Sequence, residues 1–409
     1  MKKPELLAPA GDYECLEAAF DHGADAAYIG IGPFNLRAFS PNFAVDEIPQ
    51  VMYCARNRGK KVYTVLNTMP TDTQLPMVEA FIKDLARLET TPDALIVSDP
   101  GVISLCREHL PKVPLHLSTQ TGSFNLRAVE FWAEQGIARV VLPREFTLEQ
   151  IRVISGAGVC ETEVFIHGAM CVSISGRCLL GAYLAGRHAN QGDCPQPCRF
   201  RYAIAPQGKE TGDTIEWFSA EEDARGVYLL NSKDLNTLPI LPEIIKTGVT
   251  SLKIEGRNKS VHYVSTVVKA YRAALDRYAE NPGQYTPDAA WLEALEQLDH
   301  RPYTTGFYTG EYPMQATAVS KARSRIRVVG VVKGLLRDGS AVIDVKNPFT
   351  AQEPLSILPV NKKRNPFMTS FFGIADLNNN PLERALTNRI AVVKCGDRLA
   401  VGDVIRRAG

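Results

Sequence analysis

The sequence predicts an α/β protein: a TIM-like (β/α) barrel with a cysteine-rich insertion, followed by a small C-terminal β-barrel domain. Three observations carry this expectation. The first 280 residues alternate short apolar runs with stretches of helical periodicity. Runs such as AAYIGI and KVYTVLN show little polar alternation, as strands buried on both faces of a parallel sheet do. From RIRVVGVVKGLL onward the pattern changes to short alternating strands separated by turns.

The candidate strands, in order, are Leu6–Pro9, Ala27–Ile31, Val62–Asn67, Ala94–Ser98, Leu115–Thr119, Arg139–Pro143, Glu163–His167, Tyr228–Lys233 and Leu252–Glu255. Between most of them lie helices. Leu75, Val78, Phe81, Ile82, Leu85 and Leu88 recur at helical spacing, and Val264, Val267, Val268, Tyr271, Ala274, Leu275 and Tyr278 do the same after the last strand. Nine strands are one too many for a TIM-like barrel. Either Glu163–His167 or Tyr228–Lys233 lies outside the ring, or the ring is irregular; a doubly wound open sheet is the alternative. Polar residues just past the strand ends favour the barrel, because there they converge on one rim. They include Tyr28, Asn35, Arg37, Asn67, Asp99, Gln120, Arg144, Glu145, His167, Lys233, Glu255 and Arg257. Asp99 before Pro100 also reads as a helix cap.

Directly after VFIHGAM come Cys171, Cys178, Cys194 and Cys198, spaced C-x6-C-x15-C-x3-C. Thiolates are soft ligands, and four together suit zinc or an iron–sulfur cluster. The lack of tight C-x2-C pairs favours iron–sulfur over structural zinc. The competing reading is a set of buried free thiols. The other five cysteines are isolated, and the total of nine is odd, which argues against a secreted disulfide framework.

Residues 1–280 therefore form the expected catalytic domain, with the cysteine segment at 171–198 and a hairpin insertion at about 201–227. Residues 281–325 read as a connector with a helix at Asp288–Leu298, and 326–409 as the small β-barrel. Hydrophobic residues make up 45% and charged residues 22%, ordinary for a soluble chain. The start MKKPELLAPAGDYE is not a signal peptide, and no run reaches the length of a membrane span, so a cytoplasmic location with no membrane partner is expected. The net charge of +1 does not announce a nucleic-acid binder. Local basic runs exist at Lys321, Arg323, Arg325 and Arg327 and at Lys362, Lys363 and Arg364; a solvated face is the commoner origin of such runs.

Hydrolase, nucleotide and dinucleotide signatures are missing: no G-x-S-x-G, H-E-x-x-H, papain-type or Walker motif occurs. His167 is the histidine best placed for acid–base work, with a core histidine as the equal alternative.

These residues resemble a known family. ELLAPAGDYECLEAAFDHGADAAYIGIGPFNLRAFSPNF is similar to the opening of the collagenase-like peptidase family U32, and HGAMCVSISGRCLLGAYLAGRHANQGDCPQPCRFRY to its cysteine motif. LLNSKDL, SLKIEGRNKSVHYVSTVVKAYR and the C-terminal VKNPF and GDVIRR segments extend the resemblance over nearly the whole chain. It implies an iron–sulfur protein carrying a 4Fe–4S cluster on Cys171, Cys178, Cys194 and Cys198. The branch with an appended β-barrel supports 5-hydroxyuridine formation at the tRNA wobble position, with prephenate as a required metabolite and an electron donor that the motifs do not specify. A collagenase-like peptidase, or a hydroxylase acting on ribosomal RNA or a quinone precursor, is the alternative. Arg37, Lys253, Glu255 and Arg257 match family motif positions. His167, Glu255 and Lys253 are the catalytic candidates, and Arg37, Asn67, Gln120, Lys233 and Arg257 the substrate-binding ones. Arg37 and Arg257 suit the carboxylates of a small metabolite. The tRNA partner would engage the small β-barrel through Arg325, Arg327, Lys362, Lys363 and Arg364.

Overall fold

The computed structural model describes residues 3–38, 41–200, 222–223, 226–227, 231–310, 326–361, 364–396 and 398–408. Eight parallel strands close a ring: β1 (Glu5–Ala10), β2 (Ala26–Gly30), β3 (Lys61–Leu66), β4 (Ala94–Val97), β5 (Leu115–Leu117), β6 (Ile137–Val141), β7 (Glu161–Ala169) and β8 (Ser251–Ile254). Each pairs with the next, and β8 returns to β1 with Glu5 opposite Ser251. The TIM-like barrel expected from the apolar runs is therefore the fold.

The surplus ninth strand is resolved by its surroundings. Residues 228–230 lie outside the described residues, as do 201–221 of the expected hairpin insertion. The chain that follows forms a short strand, Asp234–Asn236, which runs antiparallel to the end of β7 and parallel to Tyr303–Thr304. It is an annex to the ring and not a member of it. Glu222–Asp223 and Gly226–Val227 pair as a minimal antiparallel ladder.

Helices α1 (Tyr13–Asp21), α2 (Ile48–Arg56), α3 (Leu75–Ala86), α4 (Pro100–His109), α5 (Leu126–Glu134) and α6 (Leu148–Gly156) follow the first six strands. Helix α7 (Leu241–Lys246) precedes β8, and α8 (Val261–Glu280) follows it. Their starts are written in the sequence. Asp12, Asp99 and Asn125 accept hydrogen bonds from the amides of Cys15, Val102 and Ala128, and Thr147 with Gln150 forms a reciprocal capping box. The apolar positions of α3 and α8 bury against the ring as their spacing required. The connector helix spans Ala289–Glu296, with Asp288 as its cap.

The C-terminal region is a seven-stranded antiparallel half-barrel. Its strands are β9 (Ile326–Leu335), β10 (Ala341–Val345), β11 (Leu355–Leu358), β12 (Phe367–Thr369), β13 (Phe371–Ala375), β14 (Ile390–Cys395) and β15 (Val404–Ala408), in the order β12-β11-β15-β9-β10-β14-β13. It has its own core, including Val329, Ile343, Phe349, Leu355, Phe371 and Ile405. Lys269 on α8 ties it to the barrel. Its ammonium donates to the carbonyls of Pro359, Asn361 (3.0 Å) and Arg364 (2.8 Å). Lys333 with Glu17 (3.0 Å) and Lys346 with Glu14 (3.1 Å) add ion pairs across the same junction.

Inside the ring, Glu163 has no solvent exposure. Lys253 reaches it at 2.9 Å and Arg139 at 3.1 Å, and Arg139 also holds Glu5 at 2.7 Å. Burial alone would raise the Glu163 carboxyl, but Lys253 and Arg139 outweigh it and pull it from the ordinary 4.5 down to about 2. A depressed carboxyl gives stability that is full above its unfolded value and is lost as pH falls through the folded one. Stability should therefore drop between pH 4.5 and about 2, by on the order of 3 kcal/mol from this group. Acid titration followed by circular dichroism checks this. Glu163→Gln should flatten the drop and cost about 3 kcal/mol at neutral pH, because buried Lys253 loses its carboxylate and Arg139 keeps only Glu5 and Glu161. An unchanged acid profile would assign the sensitivity to another carboxylate.

Candidate active site at the barrel mouth

A cavity of about 190 Å³ opens where the strands end, with the cysteine segment as one wall. Strand geometry supplies the opposite side. Along the β8 edge, Lys253, Glu255 and Arg257 alternate, so all three reach the cavity. Arg37 follows β2, Asn67 follows β3, Gln120 follows β5 and Arg144 follows β6. Five cations, Arg37, Arg144, Arg177, Lys253 and Arg257, face two carboxylates, Glu145 and Glu255. The site is built for an anion.

Glu255 organises the arginines. Arg37 reaches it at 3.2 Å and Arg144 at 3.6 Å. Burial would raise its carboxyl, but Arg37, Arg144, Lys253 and Arg257 hold it below the ordinary carboxylate range, so it is ionised. Burial likewise pulls on Arg37, yet Glu255 and the sulfurs of Cys171 and Cys194 leave it above its ordinary value. Arg257 is 4% exposed, and burial draws it down to about 10. One of its terminal nitrogens donates to Asn35. The Nε atoms of Arg37, Arg144 and Arg257 are buried without a protein acceptor. A planar donor left without a partner is a standing demand for an oxyanion.

Two glycines make the geometry possible. A Cβ on Gly30 would lie 2.1 Å from Nη1 of Arg257, so only glycine leaves room for that guanidinium. Gly176, at φ +79°, lets the cysteine segment approach the carbonyl of Gln120, which a Cβ would meet at 2.0 Å. The segment is fastened at further points. Glu145 accepts from both the amide (2.6 Å) and the hydroxyl (2.9 Å) of Ser175. The Met69 amide donates to the Asn190 carbonyl at 3.1 Å. Buried Arg301, clamped on Asp234 at 2.7 Å, donates to the Met170 carbonyl at 3.2 Å. Asn67 donates to Ser118 (3.1 Å) and Gln120 (3.2 Å), which fixes the rim between β3 and β5.

Cys171, Cys178, Cys194 and Cys198 all line this cavity, and all nine cysteines are free thiols. Their donor chemistry fits a thiolate-bound cluster. Among the described residues, however, no three histidine, cysteine, aspartate or glutamate side chains stand together as a ready ligand set, so a cluster would have to gather them. Burial, with Cys171 and Cys194 nearby, raises the Cys198 thiol, and Ser173 donates to the Cys178 sulfur at 3.3 Å.

Of the sequence candidates, Arg37, Asn67, Gln120, Lys253, Glu255 and Arg257 meet here with the four cysteines. His167 and Lys233 do not line the cavity. His167 is 1% exposed, its ring packs against Tyr263, Tyr271 and Tyr303, and burial lowers it to about 3. The structure places this imidazole in an aromatic enclosure away from the cavity, as the core-histidine alternative describes. Lys233 is displaced because its segment joins the annex strand and leaves the ring. Arg144 is the main addition. Its position beside Glu145 at a strand end was visible, but its partner Glu255 lies far along the chain. Among the described residues no serine or cysteine hydrogen-bonds a histidine; the one aliphatic hydroxyl that does is Thr266, on His262 at 3.2 Å, away from the cavity.

The thiols divide by position. After chelation, Cys171, Cys178, Cys194 and Cys198 should be alkylated in the folded protein. Burial raises the thiols of Cys15 and Cys106, and these should react on the order of a hundredfold more slowly until the chain unfolds. Mass spectrometry of alkylated peptides checks this; equal labelling of the two classes would contradict the placement.

The profile of peptidase family U32 matches residues 11–317. The chain is 37% identical over 399 residues to tRNA hydroxylation protein P of Escherichia coli (strain K12), covering 88% of this chain and 86% of that protein. It is 40% identical over 309 residues to tRNA hydroxylation protein P1 of Bacillus subtilis (strain 168), with 76% and 72% covered. A collagenase of Porphyromonas gingivalis (strain ATCC BAA-308 / W83) is 31% identical over 360 residues, with 84% and 83% covered. The matched profile spans well over half of the chain and includes seven of the eight ring strands and the cysteine segment: this protein belongs to peptidase family U32.

Proposed function

We propose that the chain is an RNA hydroxylase that supports 5-hydroxyuridine formation at the wobble position of tRNA. The observation that carries this reading is the single cavity shared by four free thiols and the unpartnered Nε donors of Arg37, Arg144 and Arg257. The two relatives named for tRNA hydroxylation support the RNA class. Thiolates of Cys171, Cys178, Cys194 and Cys198 would hold a 4Fe–4S cluster, which supplies electron transfer when bound. Arg37, Arg144 and Arg257 would take the carboxylates of a small cosubstrate such as prephenate, since a guanidinium fork matches a carboxylate. Replacing C5–H by C5–OH (R–H + H2O → R–OH + 2 e− + 2 H+) is a two-electron oxidation. It needs an external oxidant or oxygen donor as co-reactant to supply the oxygen and take the electron pair, and the C5 proton must leave. Glu255, ionised beside the arginines, is the acceptor best placed to take it. Lys253 holds positive charge at the cavity floor through its bond to Glu163.

An anticodon loop presents unstacked bases, so the target can enter a narrow cavity without a duplex being opened. Charge distribution favours the half-barrel as a second RNA contact. Residues 326–409 hold thirteen Lys and Arg against seven Asp and Glu, a surplus hidden by the overall +1. Arg327 is exposed on β9, whereas Arg364 is engaged with the Arg398 carbonyl and the Phe367 ring. Lys321, Arg323, Arg325, Lys362 and Lys363 lie outside the described residues. Among the described residues no helix is long and apolar enough to cross a membrane.

Two experiments test the reading. In a strain lacking the gene, the parent chain should restore 5-hydroxyuridine in digested tRNA, and Cys171→Ala should lower it by more than about tenfold. Undiminished modification would refute a catalytic cluster. Cleavage of unfolded protein after removal of iron, with tRNA nucleosides unchanged, would instead establish a peptidase. Calorimetric titration with prephenate should show affinity falling about tenfold to a hundredfold in Arg257→Ala, the worth of one charged hydrogen-bonding group. Equal affinity would remove the arginines from cosubstrate binding.

A further inference from the structure

Beside the barrel mouth lies a second hollow of about 530 Å³. Met69, Asp99, Gln120, Arg177, Leu179 and Asn190 form its wall. Gln120, Arg177 and Asn190 also line the main cavity, so a single partition separates the two spaces. The main cavity is the smaller, at about 190 Å³. Pockets for drug-sized ligands span roughly 300–1,000 Å³. The main cavity is narrow, and a nucleotide whose base enters it beside a cosubstrate leaves its neighbour outside.

We propose that the second hollow is the subsite for the nucleobase adjoining the modified one. This inference rests on the RNA reading above and adds to it the place where the flanking nucleotide is held. The chemistry of the wall supports it. Leu179 is 76% exposed, an apolar surface offered to solvent beside the hollow. Six of the 21 large exposed hydrophobic side chains among the described residues fall between Val172 and Phe200, which is a density that marks an interaction surface. Bases stack on such surfaces without regard to sequence. The charge of the same stretch selects a polyanion. Between Met170 and Phe200 there are three arginines and one acid, Asp193. Asp193 is taken by Arg187, and Arg177 has no ion-pair partner among the described residues. Arg177 stands on the partition, where the phosphate joining the two nucleotides must cross. Asp99, whose Oδ1 caps α4 at 3.0 Å from the Val102 amide, and Asn190 supply polar groups for the edge of the flanking base.

The test is fluorescence anisotropy of a labelled anticodon stem-loop RNA against the full chain over a range of salt. Leu179→Ser should weaken binding about fivefold or more, the scale of losing the burial of one leucine side chain under a base. Arg177→Ala should weaken it and lower the salt-dependence slope by about 1, as loss of one phosphate contact does. Arg127→Ala is the control: this side chain is 93% exposed on α5, pairs with Glu130 and lies off both spaces. Parent-level affinity and slope in both subsite variants would overturn the subsite and leave the RNA reading standing; a hollow built for a protein partner gives that result. Failure of the parent chain to bind the stem-loop overturns both together.

Discussion

A carboxylate sealed inside the ring sets the positions of everything above it. Glu163 cannot be buried unless cations come to it, and Lys253 and Arg139 do so from the strands on either side. Lys253 is thereby fixed in height and orientation. Because side chains alternate along β8 and its extension, fixing Lys253 also places Glu255 and Arg257 in the cavity. Glu255 then draws in Arg37 and Arg144. The mouth thus inherits its order from a single charge that never meets solvent.

Much of this was legible in the sequence because the signals are local. Two-sided apolar runs located the eight ring strands to within a residue or two, and Asp99–Pro100 marked a helix start where one occurs. The cysteine cluster was visible as spacing, and the SLKIEGR run as a strand and a family motif. What was hidden was what depends on distant partners. His167 sits at a strand end like the rim residues, but Tyr263, Tyr271 and Tyr303, from much later in the chain, close over it. Lys233 lies next to a real strand, but one that turns antiparallel to β7 and leaves the ring. Arg144 was seen as one polar residue among many, since its distinction is an ion pair with Glu255. Arg301 gave no signal at all, although it anchors the start of the cysteine segment from within the connector.

The half-barrel and the cysteine segment engage the barrel in different ways. The half-barrel has a separate core and is held by Lys269, whose three carbonyl acceptors satisfy a buried ammonium completely. The cysteine segment has few apolar anchors and depends on backbone approach at Gly176 and on polar fastenings to Glu145, Asn190 and Arg301. One has a core of its own; the other is a segment shaped by the rim.

That fastening has a consequence for metal binding. The four thiols hang on a loop tied down by ordinary hydrogen bonds, and none of them pins one core element to another. Metal bound there would add its binding free energy to the folded chain. If the proposed metal binds there, its gain or loss falls on a loop whose fastenings to Glu145, Asn190 and Arg301 are made by the protein alone.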